Sequence, residues 1–352
     1  MKTSFLSFLM CFIGLSLLAQ EVPLYVGTFS DESSEGIYKY NFNTETGEIS
    51  NKALAVKATS PSFIAFSADR KRMYAVTNDK KNGFVNAYNL KNDGTLEFIN
   101  KVSSNGSGPC HVELNEKSDK VVVSNYGGGT IAIYGINSDG SIKEASQVFD
   151  HNIEGTRSHA HSAKFLKNNL FVADLGRDFL SHYVEIDDAF KLQENYSMED
   201  KAGPRHFAIS NKGKYIFVIN ELNSSVSVLK KEGTSYTNIQ DISTLDEGFD
   251  GKSYCADIHL SKNEKFLYGS NRGENSIVVY KRNKSTGLLE KIQSISTHGD
   301  WPRNFTLGPN GKFLLVANQK SKNISVYHVD KKTGKLTFIN SKETPTPVCL
   351  LF

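Results

Sequence analysis

Apolar and polar residues alternate along most of this chain in short runs broken by turn residues. The clearest case lies between positions 203 and 228. Phe207 and Ile209, then Tyr215, Phe217 and Ile219, fall on every second position, the period of a strand with one buried face. Asn211-Lys212-Gly213 interrupts the alternation and supplies a tight turn. The stretch predicts a β-hairpin. Its first strand starts, and its second ends, at the same end, so Arg205, His206, Glu221 and Asn223 should share one rim.

The same pattern recurs. PSFIAFSADRKRMYAVTN begins at 61, PCHVELNEKSDKVVVSN at 109, AHSAKFLKNNLFVAD at 160, CADIHLSKNEKFLYGSN at 255 and PRNFTLGPNGKFLLVAN at 302. Each leads into a third strand (NAYNL, TIAIYGI, LSHYVEI, SIVVYKR, NISVYHV), then mostly through a turn such as NDGTL or KTGKL into a fourth. The spacing of 44 to 51 residues, with four short strands per unit, is that of a β-propeller blade. One further step reaches PVCLLF at 347, an inner strand with no hairpin behind it. LYVGTFS and GIYKYNF, near the N-terminus, are strands with no inner partner. A last blade assembled from both termini completes seven and leaves no open sheet edge. The expected fold is all-β: a seven-bladed propeller of four-stranded blades over residues 20–352.

Residues 1–19 read differently. Lys2 precedes an apolar run over residues 5–18, too short to span a bilayer, and Ala19-Gln20 follows. This describes a secretory signal peptide and a periplasmic or secreted protein, with no membrane attachment after cleavage. Met10 before Cys11 makes a poor lipoprotein signal. A net charge of +3 over 352 residues, without a long basic run, excludes an electrostatic footprint for nucleic acid. The three cysteines beyond the leader, Cys110, Cys255 and Cys349, are too few and odd in number for a disulfide framework. They read as buried small residues. A monomer is expected.

Repeats permit comparison of equivalent positions within one chain. The second hairpin strand ends in Asn78, Asn125, Asp174, Asn220, Asn271 and Asn318, a uniform Asx column that reads as structural. The next position varies: Asp79, Tyr126, Leu175, Glu221, Arg272 and Gln319. So does the second residue of the inner strand: Ser62, Cys110, His161, Arg205, Ala256, Arg303 and Val348. Inner strands line a propeller's channel, so His161, Arg205, Glu221, Arg272 and Arg303 should meet at one mouth. His111, His206, Asp257 and Asn304 should lie close behind as further substrate-binding groups. Arginine forks match carboxylate or phosphate and can stabilise an oxyanion. Glu221, ionised beside arginines, or His161, titrating near working pH, could activate water. The set suits hydrolysis of a lactone or ester, or proton abstraction beside a carboxylate.

Other chemistries leave no trace. Gly-x-Ser-x-Gly, HExxH, paired CxxC and the EF-hand loop are absent. Gly127-Gly128-Gly129 lies between two strands and reads as a turn rather than a phosphate loop. His159 and His161 alone make a weak metal site. Neither a metal nor a cofactor is expected.

The chain resembles the seven-bladed lactonase family, which includes bacterial propeller-type 6-phosphogluconolactonase and the fungal carboxy-muconate lactonizing enzyme. The likeness spans residues 20–352. Its most specific pieces are HSAKF (161–165), GPRHF (203–207), NELNSSV (220–226), ADIH (256–259), SNR (270–272), PRNF (302–305) and QKSKNISVY (319–327). The resemblance implies a site built from His161, Arg205 and Glu221, with Arg272 or Arg303 as a further arginine. It also implies an anionic small-molecule lactone as substrate. A lactonizing enzyme, a calcium-dependent lactonase using Glu221 with the Asn column, and a non-catalytic binding propeller are the alternatives.

Overall fold

A computed structural model describes residues 21–31, 33–79 and 82–352. The expected leader, 1–19, lies outside them. Seven four-stranded antiparallel sheets make up the described chain. Blade 1 covers 63–103, blade 2 109–150, blade 3 160–197, blade 4 204–243, blade 5 254–296 and blade 6 302–343. Blade 7 takes its inner strand, Pro347–Leu351, from the C-terminus, and that strand pairs with Glu21–Thr28. The remaining two strands, Gly36–Asn43 and Ile49–Lys57, follow in sequence. The split blade expected from the sequence therefore closes the ring, and hydrogen bonds between the two ends of the chain hold it shut.

The core is not central. It is divided among the spaces between blades, because each sheet buries both faces against its neighbours. Phe217, Ile219 and Val228 of blade 4 pack on Ile258, Leu267 and Val278 of blade 5. On their other side, Phe207, Ile216 and Val218 pack on Phe171, Ala173 and Leu180 of blade 3. Tyrosines on third strands reinforce these seams: Tyr134, Tyr280 and Tyr327 donate to the carbonyls of Ser103, Ser243 and Ser296, at 2.8, 2.7 and 2.7 Å. Each carbonyl ends the outer strand of the preceding blade. The Asn column does the structural work its uniformity implied. Asn271 donates to Thr244 O, and Asn318 to Thr297 O, tying each inter-blade loop to the strand beside it. Asp174 plays the same part with its acceptors, taking bonds from Ser158 Oγ and the His159 N–H.

One recurring irregularity positions the site. In blades 2, 3, 4, 6 and 7 the register slips after the first residue of the inner strand, leaving the second residue unpaired. These β-bulged residues are Cys110, His161, Arg205, Arg303 and Val348. A bulge bends the strand and re-aims the side chain it carries. Here it turns the second residue toward the channel mouth and the third toward the channel interior.

Candidate active site

The mouth holds a cavity of about 400 Å³ whose wall draws on every blade, and on it His161, Glu221, Arg272 and Arg303 come together. His161 is carried by the bulge of blade 3. Glu221 follows the second strand of blade 4 and Arg272 ends that of blade 5, each one residue past the Asx column. Gly203, at φ +67°, makes the turn that sends the chain into Pro204 and Arg205, and a Cβ there would lie 2.6 Å from Leu222 Cγ. The remaining wall is uncharged and includes Phe29, Ser62, Asn78, Cys110 and Tyr126.

Glu221 is the electrostatic hinge. Its Oε2 sits 2.8 Å from Arg205 Nε and 2.6 Å from Arg272 Nη2. The first contact is an ion pair without good hydrogen-bond alignment, since Arg205 Nε has no aligned acceptor. Burial alone would raise the Glu221 carboxyl, but Arg205 and Arg272 override it and hold the group below its usual range. Two arginines are thereby committed. Arg205, 1 % exposed, also donates to Ala256 O, and Arg272 donates to Cys255 O at 2.9 Å and stacks over Trp301. Arg205 lies behind Glu221 and is not part of the cavity wall, so the sequence-based expectation that it faces a ligand does not describe its position. Arg303 differs. Among the described residues it has no carboxylate partner, and its guanidinium lies 5.1 Å over the Phe29 ring. Three guanidinium groups and one carboxylate leave an excess of two positive charges around the cavity.

His161 is neutral. Burial, then Arg205, His206 and Arg303, push its pKa well below the ordinary histidine value. The neighbouring Cys110 thiol is pushed up to about 11 by burial, against the pull of Arg205 and Arg303. It donates to His161 O at 3.2 Å and is no nucleophile at neutral pH. Tyr126 presents its edge to His161, with ring centres 5.5 Å apart, and stacks on His159. His159 Nδ1 in turn bonds Tyr126 O, so His159 holds a loop, as its sequence position suggested.

His111, His206, Asp257 and Asn304 do lie directly behind the mouth: the His161 and His206 rings are 5.2 Å apart. They line a different space, however, a cavity of about 550 Å³ opening at the other end of the channel. For His111, His206 and Asn304 the third-residue position, one step past the bulge, is the reason; Asp257 lies inside the two-residue slip of blade 5. Asp257 is the hub of this layer. It accepts from His206 Nδ1 at 2.8 Å, His259 Nε2 at 3.0 Å and Asn304 Nδ2 at 2.6 Å. With Arg205 these groups separate the two cavities. The column amides spend their Nδ2 groups on backbone and hydroxyl oxygens, as Asn271 does on Thr244 O and Asn220 on Ser225 Oγ, while among the described residues the Oδ1 atoms of Asn125, Asn220 and Asn318 stay buried without a hydrogen bond. Among the described residues no cluster of three His, Cys, Asp or Glu is placed to hold a metal ion.

Residues 23–352 match the family described as Lactonase, 7-bladed beta-propeller. The chain belongs to this family. It is therefore a lactonase, with homologues that act as hydrolases on lactones. It is 33 % identical over 295 residues to the 6-phosphogluconolactonase of Bacillus subtilis, covering 81 % of this chain and 84 % of that one. It is 34 % identical over 306 residues to the 6-phosphogluconolactonase of Formosa agariphila, covering 81 % and 86 %. The structure of the periplasmic gluconolactonase of Pseudomonas aeruginosa superposes with a TM-score of 0.89 at 27 % identity, covering 94 % of this lactonase and 99 % of that chain. Among the described residues of the lactonase no helix is long and apolar enough to cross a membrane.

Sequence reasoning missed Ser62, Tyr126 and Phe29. The first two stood in the variable columns, but only the charged members of those columns drew notice. Phe29 follows the N-terminal strand, outside any repeated register.

Proposed function

We propose that this lactonase opens an anionic sugar-acid lactone of the 6-phosphogluconolactone type to the free aldonate, in the mouth cavity. One observation carries the reading: the His161 imidazole, held neutral by burial and Arg205, shares that cavity with the Arg303 guanidinium, which has no carboxylate partner among the described residues, and Arg205 behind the wall brings the excess around it to two positive charges. His161 is the general base. Glu221 is committed through Oε2 as the counter-ion of Arg205 and Arg272, whereas His161, although burial and Arg205 weaken it as a base as well, faces the cavity as a neutral imidazole. The role of Glu221 is to fix Arg272 in the wall. Water, deprotonated by His161, attacks the lactone carbonyl, and Arg272 stabilises the oxyanion. The ring C–O bond breaks, the imidazolium returns its proton to the leaving alkoxide, and the carboxylic acid product ionises to solvent. Arg303 binds the anionic substituent. The named relatives open lactones, which favours hydrolysis over ring closure.

We further propose that residues 1–19 are a cleaved leader and that the protein works outside the cytoplasm, as a monomer. That the P. aeruginosa relative is periplasmic supports export. Cell fractionation with N-terminal sequencing of the mature protein tests it: an intact Met1 in the cytoplasmic fraction would refute export. The function itself is tested by comparing 6-phosphogluconolactone with gluconolactone, each corrected for spontaneous opening. Acceleration of the phosphorylated lactone supports the full reading. Acceleration of gluconolactone alone restricts the activity to unphosphorylated aldonolactones.

A further inference from the structure

The mouth cavity has two unlike halves. Blades 3 to 6 supply His161, Glu221, Arg272 and Arg303; blades 1, 2 and 7 supply an uncharged wall. On that wall two hydroxyl groups are uncommitted. Ser62, half-buried, and Tyr126, 37 % exposed, line the cavity, and among the described residues neither hydroxyl makes a hydrogen bond. Most other hydroxyls near the mouth are engaged: Ser60 Oγ accepts from Ser30 N at 3.0 Å, and Ser158 Oγ donates to Asp174 at 2.6 Å. Phe29 offers a flat apolar face beside them, with Arg303 over its ring. Tyr126 stands against His161, so whatever its hydroxyl contacts also lies next to the base.

We infer that Ser62 and Tyr126 read the ring hydroxyls of the substrate, and that this wall selects a polyhydroxylated lactone over a bare or aromatic one. The inference rests on the lactone-hydrolase reading of the same cavity. A lactone seated against His161 displaces water from both hydroxyls. A ring bearing hydroxyl groups replaces those hydrogen bonds. A ring without them leaves both groups unpaired, which discriminates between otherwise similar rings. The ring hydroxyls can donate to or accept from Ser62 and Tyr126 alike, because a hydroxyl does both. Phe29 packs against the ring's C–H face.

The test is the variant Ser62→Ala/Tyr126→Phe, which keeps the Tyr126 ring stacked on His159. The single Tyr126→Phe variant serves as the check should the pair fold poorly. Rates on glucono-δ-lactone and on δ-valerolactone, the same ring without hydroxyls, give a ratio of kcat/KM. The inference predicts that this ratio falls about tenfold in the double variant, and about threefold in the single one, through KM for the hydroxylated lactone. A ratio within about 1.5-fold of the unmodified protein's in both variants, with hydrolysis intact, overturns the inference and spares the hydrolase reading. If the unmodified protein opens only 6-phosphogluconolactone, a kcat/KM for that lactone about tenfold lower in the double variant supports the inference and an unchanged one overturns it. If it opens none of the three, the hydrolase reading fails, and titration calorimetry with gluconate decides the inference alone. Gluconate binding about tenfold weaker in the double variant supports it; equal binding, or none to the unmodified protein, overturns it.

Discussion

Glu221→Gln separates the two roles open to this carboxylate. In the structure it is the counter-ion of Arg205 and Arg272, at 2.8 and 2.6 Å. Glutamine keeps the shape and removes the charge, leaving two buried guanidinium groups facing each other. Removing one partner of a buried pair costs about 3–5 kcal/mol. The lower end applies, because the Glu221 side chain is 16 % exposed and its cavity admits water. With an m-value of about 3 kcal/mol/M in urea, a loss of about 3 kcal/mol moves the unfolding midpoint down by about 1 M. Trp301, the single tryptophan, lies 5.3 Å from the Arg272 guanidinium and reports on this region by fluorescence. The stability of the folded state that Glu221 provides has a fixed sign with pH. Its pKa is lowered on folding, so the contribution is present above the unfolded value of about 4.3 and is lost as pH falls below it. The gap between the two proteins should therefore close on acidification toward pH 3. An unchanged midpoint at pH 7, with kcat reduced a hundredfold or more, would refute the argument and make Glu221 the base.

His161→Ala should lower kcat by about 10²–10⁴ with little change in KM, measured by steady-state rates on an opened lactone. Because burial and Arg205 hold the imidazole pKa well below its ordinary value, the unmodified protein should keep its activity below pH 6, where an ordinary histidine is mostly protonated. A kcat/KM profile that falls with a midpoint near pH 6.5 would contradict this. Asp257→Asn should destabilise the fold by about 3–5 kcal/mol, because the new amide faces donors from His206 and His259. Burial would raise Asp257, yet His259 and His206 hold its carboxyl well below the usual range, so its stabilising contribution persists above about pH 4 and fades only in stronger acid. Urea midpoints at pH 7 check the first expectation and a pH series the second.

What could be read from the sequence followed from local rules. Strand alternation, Asx and glycine turns and the step of about 45 residues are written in short stretches, and the split blade followed from counting them. The convergence of His161, Glu221, Arg272 and Arg303 followed from register alone, since equivalent positions in a ring share one height. The failures came where a single residue of backbone decides. The bulge after Pro109, Ala160, Pro204 and Pro302 sends the second residue to the mouth and the third to the interior. His111, His206 and Asn304 therefore line the far cavity, and Asp257 joins them from a longer slip in blade 5 that takes in both Ala256 and Asp257. No propensity marks that slip. Nor does register say which arginines a carboxylate will bind. Glu221 takes Arg205 and Arg272 because both lie within reach from blades 4 and 5, and Arg303, one blade further round, has no carboxylate partner among the described residues.

The most direct test of the account is proton release during lactone opening, followed at constant pH with the purified protein and with its His161→Ala variant. The account predicts acceleration over spontaneous opening of 6-phosphogluconolactone or gluconolactone, and its near-complete loss in the variant. Equal acceleration by both proteins would contradict the assignment of His161. No acceleration of either lactone would contradict the proposed function itself.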